Sequence, residues 1–179
     1  MGDGKQAGTA EFQAFVAGYW PRLMRTAFLL TGEQHAAEDL VQSTLERTYV
    51  AWRRVGSADD PEAYVRRVMI NTHARKHRRR LREVLAPRDD SGVTHEVADT
   101  GDRISQVDDR HTLLEALAEL PPRQRQAVVL RYWEDLTETQ AAEAMGCSVG
   151  AVKSNAAKGI AKLRAIPALA ETPAHGGRK

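Results

Sequence analysis

The chain has 179 residues, 42% of them hydrophobic, enough for one domain or for two small lobes with modest cores. Its single cysteine, Cys147, excludes an internal disulfide and a cysteine-based zinc site and fits a reducing compartment. The net charge of +2 does not by itself announce a nucleic-acid partner, the polar start MGDGKQAGTAEF has no apolar signal core, and no apolar run approaches the ~20 residues of a membrane span.

In chain order, nearly every segment reads as helix. Phe12, Phe15, Val16, Tyr19 and Leu23 recur at helical spacing and predict a first helix, which Pro21 kinks or restarts and Thr31-Gly32 ends. Residues 34–54 predict a long second helix with Ala37, Leu40, Val41, Leu45, Thr48 and Trp52 inward. VGSADDP is a turn-rich loop in which Asp59 or Asp60 caps a third helix, residues 61–82, with Pro61 in its first turn. The inner stripe of that helix is Val65, Val68, Met69 and Thr72, and Arg67, Asn71, Ala74 and Arg78 lie opposite. Residues 61–82 carry eight basic side chains and one acid, Glu62. Residues 83–109 reverse this, with eight acids against Arg88 and Arg103, so a near-neutral chain hides a basic block followed by an acidic one. Residues 83–110 lack periodicity and read as a flexible acidic linker. A fourth helix covers 111–120, Pro121-Pro122 breaks it, and a fifth carries Ala127, Val128, Leu130 and Arg131 ahead of Tyr132-Trp133. Residues 167–179 read as a frayed tail.

Residues 137–164 predict a helix, a tight turn and a second helix. Thr137 and Gln140 form a capping box, Gly146 supplies a left-handed stop, and Ser148 caps the second helix. Val149, Val152, Ala156, Ile160 and Leu163 take one side of it, Ser154 and Lys158 the other, with Gly150, Asn155 and Lys162 flanking. Residues 149–164 contain four basic residues and no acid, the character of a helix that reads the major groove. Paired short helices are also common as plain structural hairpins with solvated lysines, so this segment alone leaves both readings open.

Three runs, in order, bear a family resemblance: AFLLTGEQHAAEDLVQSTLERTYVAW at 27–52, PEAYVRRVMINTHARKHRRR at 61–80, and LAELPPRQRQAVVLRYWEDLTETQAAEAMGCSVGAVKSNAAKGIAKLR. Together they resemble bacterial sigma factors of the extracytoplasmic-function group, two-domain members of the sigma-70 family, and most of all the SigE-like subgroup of actinobacteria. The resemblance implies an all-α chain of two small helical domains: region 2 at 10–82, the linker at 83–110, region 4 with its helix-turn-helix at 111–166, and the tail. It implies a specificity subunit that docks on core RNA polymerase, on the clamp helices of the largest subunit and the flap of the second, and reads promoter DNA. Glu38, Asp39, Leu40 and Gln42 would meet polymerase. Arg54, Arg67, Asn71, Arg75 and Arg78 would read and hold the −10 strand, and Thr137, Lys153, Ser154, Asn155, Lys158 and Lys162 the −35 element. An anti-sigma partner is left open.

Departures from the family pattern bear on base contacts rather than on roles. Asn155 and Ala156 follow Lys153-Ser154 where many members carry Arg, Lys158-Gly159 replaces a frequent Arg-Gly, and HARKH (73–77) stands where many have a more apolar stretch. A lysine is a point charge without the arginine fork. No catalytic constellation, metal-ligand spacing or phosphate-cradling glycine loop occurs, so neither enzyme activity nor a cofactor is expected, and the expected place is the cytoplasm, on the nucleoid through polymerase. Two other readings are a helix-turn-helix regulator working without polymerase and a helical interaction module. Neither gives a reason for the first lobe to pair AEDLVQ with a basic helix.

Overall fold

The computed structural model describes residues 3–85 and 106–170, and among them every regular element is helical. Most of the expected linker, 86–105, and the end of the tail, 171–179, lie outside the described residues. The first half is α1 (Asp3–Thr31), α2 (Gln34–Val55) and α3 (Pro61–Leu85). α1 runs through Pro21 as one helix, so the chain does not restart there. Pro21 and Ala17, whose carbonyl loses its partner, are both on the solvent side, where water replaces the missing bond. Gly32, at φ 78°, ends α1 and donates to the Phe28 carbonyl at 2.7 Å. The Asp60 carboxylate accepts the Ala63 N–H at 2.8 Å and so caps α3, as the sequence predicts.

The second half is α4 (Gln106–Glu119), α5 (Pro122–Val128), α6 (Glu138–Met145), α7 (Val149–Arg164) and a short α8 (Pro167–Ala170). α5 passes directly into a π turn, Val129–Trp133, where Glu134 N–H bonds to the Val129 carbonyl at 3.0 Å. At this turn Leu130 and Glu134 are buried while Tyr132 and Trp133 stay exposed. The sequence gives no sign of it, because a π turn changes the register of a helix without needing a special residue.

Both expected lobes are present, and they pack on each other. One continuous core takes Leu23, Ala27 and Leu30 from α1 and Met69 and Ile70 from α3, together with Leu130, Leu136, Ala141 and Met145 from the second half. A smaller cluster joins Ala116, Leu117 and Leu120 of α4 to Val128 and Leu163. Within the second half α7 lies hard against α5: a Cβ on Gly159 would come within 2.6 Å of the Val128 side chain and 3.4 Å of the Gln124 carbonyl. Gly159→Ala is therefore expected to cost about 1–3 kcal/mol through overpacking. Chemical denaturation would show this as a lower midpoint, and an unchanged midpoint would mean that α5 and α7 are free to separate.

Candidate nucleic-acid and partner interfaces

The helix-turn-helix forms from local chemistry. Thr137 Oγ1 accepts the Gln140 N–H at 3.2 Å, and Gln140 Oε1 accepts the Thr137 N–H at 2.9 Å, so two orphan amides of α6 are satisfied reciprocally. Gly146 sits at φ 60°, ψ 46°, and Ser148 Oγ accepts the Ala151 N–H at 3.2 Å to start α7. Arg123 donates to the Met145 carbonyl at 2.9 Å, tying the end of α6 to α5. α7 buries Val152, Ala156, Gly159 and Leu163. Val149, expected on that apolar side, is instead at the exposed start of the helix, one residue past the cap and before the stripe engages the core.

The outer face of α7 presents Lys153, Ser154, Lys158 and Lys162, all exposed. Ser154, Lys158 and Lys162 follow at four-residue steps and form a single ridge. Asn155 is half-buried, and its amide donates to the Ala151 carbonyl at 2.8 Å, so it must turn outward to meet a base. Lys153 is paired with Glu138 of α6 at 3.2 Å, a carboxylate that a view of α7 alone misses. Thr137 is exposed, but its hydroxyl is engaged in the cap.

On α3 the sequence-predicted stripe is real. Arg67, Asn71, Arg75 and Arg78 are exposed, opposite buried Val65, Met69 and Thr72, while Val68 and Ala74, expected inward and outward, are both half-buried, and exposed Arg54 stands at the end of α2 just before the connecting loop. Arg66 is not part of the stripe, because it is held by Glu62 and Asp60, each at 3.3 Å. Trp52 is buried, whereas Tyr49 is exposed and its hydroxyl pairs with Thr9 at 3.1 Å.

The docking candidates divide between two places. Glu38 and Gln42 border an outer groove of about 480 Å³ that also has Phe12, Trp20, Leu45 and Tyr49 in its wall. Gln42 donates to Glu46 at 3.1 Å, so Glu38, Gln42 and Glu46 edge this groove with polar and acidic groups. Asp39 faces the cleft toward α3, where its backbone carbonyl accepts from Lys76 at 3.0 Å. Leu40 is fully buried, which corrects its place among residues that touch polymerase. Its side chain anchors the helix in the core. The apolar members of the groove lie on α1 and α2, and residues so far apart in sequence leave no shared pattern.

Sequence reasoning missed the polar links between the lobes. Glu134, with 1% of its side chain exposed, is paired with Arg22 of α1 at 2.8 Å and accepts the Thr26 hydroxyl. Arg22 also reaches Glu62 at 3.5 Å. Burial alone lowers the Arg22 pKa, but Glu134 and Tyr19 more than offset that and raise it. Gln126, fully buried on α5, donates to the Ile70 carbonyl at 3.2 Å and lies 3.1 Å from His73 Nδ1. Arg125 donates to the Leu30 carbonyl at 2.7 Å and to the Ala118 and Leu120 carbonyls, so one guanidinium meets the carbonyl ends of α1 and α4. The available signal was Gln126 one turn before Leu130, a polar residue in phase with an apolar stripe.

Among the described residues no group of acidic, histidine and cysteine side chains is arranged to hold a metal, and no helix is long and apolar enough to cross a membrane.

Comparison with known proteins agrees with this layout. Residues 15–83 match the family profile Sigma-70 region 2, and residues 110–163 match Sigma-70, region 4. The RNA polymerase sigma-E factor of Streptomyces avermitilis is 38% identical over 157 residues, covering 86% of this chain and 83% of that protein. The ECF RNA polymerase sigma factor SigL of Mycobacterium tuberculosis is 31% identical over 144 residues, covering 79% of this chain and 80% of that one. The fold is similar to that of the sigma factor RpoE solved in complex with the anti-sigma factor NepR from Bartonella quintana. The TM-score is 0.69 at 24% identity, over 90% of this chain and 98% of that one.

Proposed function

This chain belongs to the sigma-70 family, as an extracytoplasmic-function RNA polymerase sigma factor built from regions 2 and 4. From that premise we propose how its residues divide the work. Glu38 and Gln42, at the rim of the outer groove, dock on the clamp helices of core polymerase, with Asp39 beside them. Arg54, Arg67, Asn71, Arg75 and Arg78 hold the opened −10 strand, where a basic channel and an extruded base are what single-strand capture needs. Ser154 and Lys158 approach −35 base edges, Asn155 joins them by turning outward, and Lys153 and Lys162 contact phosphates. Lys153 must exchange Glu138 for a phosphate, and such an exposed pair costs little to give up. Polymerisation chemistry belongs to polymerase, and the place of action is the cytoplasm. An anti-sigma partner is proposed by analogy with the RpoE–NepR complex, as is contact between the second half and the polymerase flap.

The observation that carries this reading is that the α3 stripe and the α7 ridge are both exposed and lie on different lobes. A polymerase-independent regulator has use for α7 but none for the α3 stripe or for an acidic-rimmed groove. The closed packing also has a consequence. A compact body of this many residues has a radius of gyration of about 15 Å, hence a span of roughly 40 Å. Elements centred near −35 and −10 are about 25 base pairs apart, roughly 85 Å along the helix. The lobes must therefore separate for both to read one promoter, and the closed form is a resting state.

Run-off transcription with core polymerase supplied or withheld tests the whole reading: promoter-dependent transcript is expected only when both are present. Tight duplex binding without polymerase-dependent initiation would overturn it. Glu38→Arg is expected to weaken binding to core polymerase at least tenfold, about 1.4 kcal/mol or more, and to leave the fold intact because the residue is exposed. Unchanged core affinity would move the docking patch elsewhere.

A further inference from the structure

The cleft between the lobes contains a second cavity of about 480 Å³, with a character unlike the outer groove. Its wall includes Asp39, His73, Lys76, His77, Ala118 and Arg125, drawn from α2, α3, α4 and α5. Among the described residues Asp39 is the only carboxylate on this wall, and it shares the wall with several cationic or protonatable side chains. Among the described residues no carboxylate pairs with Lys76 or Arg125. Lys76 has only the Asp39 backbone carbonyl, at 3.0 Å. Arg125 spends both terminal nitrogens on backbone carbonyls, and its Nε is buried with no partner. A half-buried guanidinium held by neutral carbonyls alone keeps its charge without a counter-ion. The neighbouring imidazole registers the same field: burial first, then Arg125 and His77, lower the His73 pKa to about 4.

We propose that this cleft is a binding site for a small phosphate-type dianion, free or as the head of a small ester, held by Lys76 and His77 in the field of Arg125. The lysine point charge suits a tetrahedral oxyanion, and Arg125, whose fork is held by carbonyls, adds its positive field. The cavity lies in the size range of small-ligand sites, and Leu30, Leu40 and Ala118 give it an apolar side for an ester's carbon skeleton. Because Ala118 and Arg125 belong to the second lobe and the other groups to the first, the anion binds the closed form and holds it closed by mass action. Occupancy would then oppose polymerase docking, a consequence that rests on the function proposed above. The binding itself is tested without polymerase, so the two can fail separately.

The test is titration of the full-length chain with inorganic phosphate, and separately with a nucleoside monophosphate, at constant ionic strength, followed by NMR shifts and thermal midpoint. Saturable shifts confined to residues around His73, Lys76 and Arg125, with a raised midpoint, are expected. Equal or stronger response to the monophosphate identifies an ester site, and response to phosphate alone a free-anion site. Lys76→Glu, on an exposed position, is expected to weaken binding at least tenfold, whereas Arg25→Glu, the same charge change on exposed α1 surface, leaves it unchanged. Glu134→Lys, remote from the cavity, is expected to weaken binding by separating its walls. Absence of saturation, or shifts centred on Lys158 and Lys162 that added salt removes, would overturn the proposal. So would full affinity in Lys76→Glu.

Discussion

Glu134→Lys is expected to drive the two lobes apart. In the closed form the Glu134 carboxylate is almost wholly buried, bound by Arg22 at 2.8 Å and by the Thr26 hydroxyl. Lysine there places a second cation against Arg22 and leaves the Thr26 hydroxyl without its acceptor. Breaking a fully buried pair from one side costs about 3–5 kcal/mol, and the 42% exposure of the Arg22 side chain brings this one below that range. The loss falls on the contact between lobes, because Arg22 and Thr26 lie on α1 and Glu134 just after the π turn. Small-angle scattering should show a larger radius of gyration, and hydrogen exchange should quicken at Ile70 and Leu130. Glu134→Gln keeps the shape and one acceptor, and Arg22 retains Glu62 at 3.5 Å, so its effect should be smaller. A compact Glu134→Lys variant would mean that the shared apolar core alone holds the lobes. On the proposed function an opened chain no longer has to break this contact, so Glu134→Lys should bind core polymerase more tightly than wild type.

What the sequence could and could not disclose follows from the range of each interaction. The helix-turn-helix was legible because its signals are local. The Thr137–Gln140 box, the left-handed Gly146 and the Ser148 cap each act within three or four residues, and each is present. The α3 stripe was legible because helical periodicity alone fixes which side Arg67, Asn71, Arg75 and Arg78 occupy. The lobe contact was not. Glu134 meets residues more than a hundred positions away, and in RYWEDL it looks like any surface acid. Gln126 and His73 are polar residues whose burial is decided entirely by a helix from the other half. The docking patch was half legible. Periodicity put Leu40 in the core, a placement that the family resemblance overrode and the structure restores. Asp39 and Gln42, three residues apart on α2, edge different cavities because α3 covers one flank of α2 and leaves the other open.

Lowering pH is expected to loosen the same contact, by way of His73. This imidazole is 8% exposed, with Gln126 of α5 at 3.1 Å, His77 on its own helix and Arg125 facing it from α5. Burial, then the two neighbouring positive or protonatable groups, bring its pKa from 6.5 to about 4, while a hydrogen bond involving the Leu30 backbone acts weakly the other way. The closed form thus requires a neutral ring. Above the ordinary value neither the closed nor the opened chain binds the proton, and closure is unaffected. Below about 6.5 the ring of an opened or unfolded chain takes up a proton that the closed form refuses, so stability falls as pH falls. The loss continues to about 4, where the closed form is protonated too, and over that interval it amounts to about 3 kcal/mol at 1.36 kcal/mol per unit. Scattering and thermal midpoints measured from pH 7.5 down to 4.5 should show lobe separation setting in below 6.5. His73→Phe, which stays apolar at every pH, should flatten that dependence even if its own midpoint is lower throughout. Retention of the full wild-type slope in His73→Phe would assign the acid sensitivity to other groups.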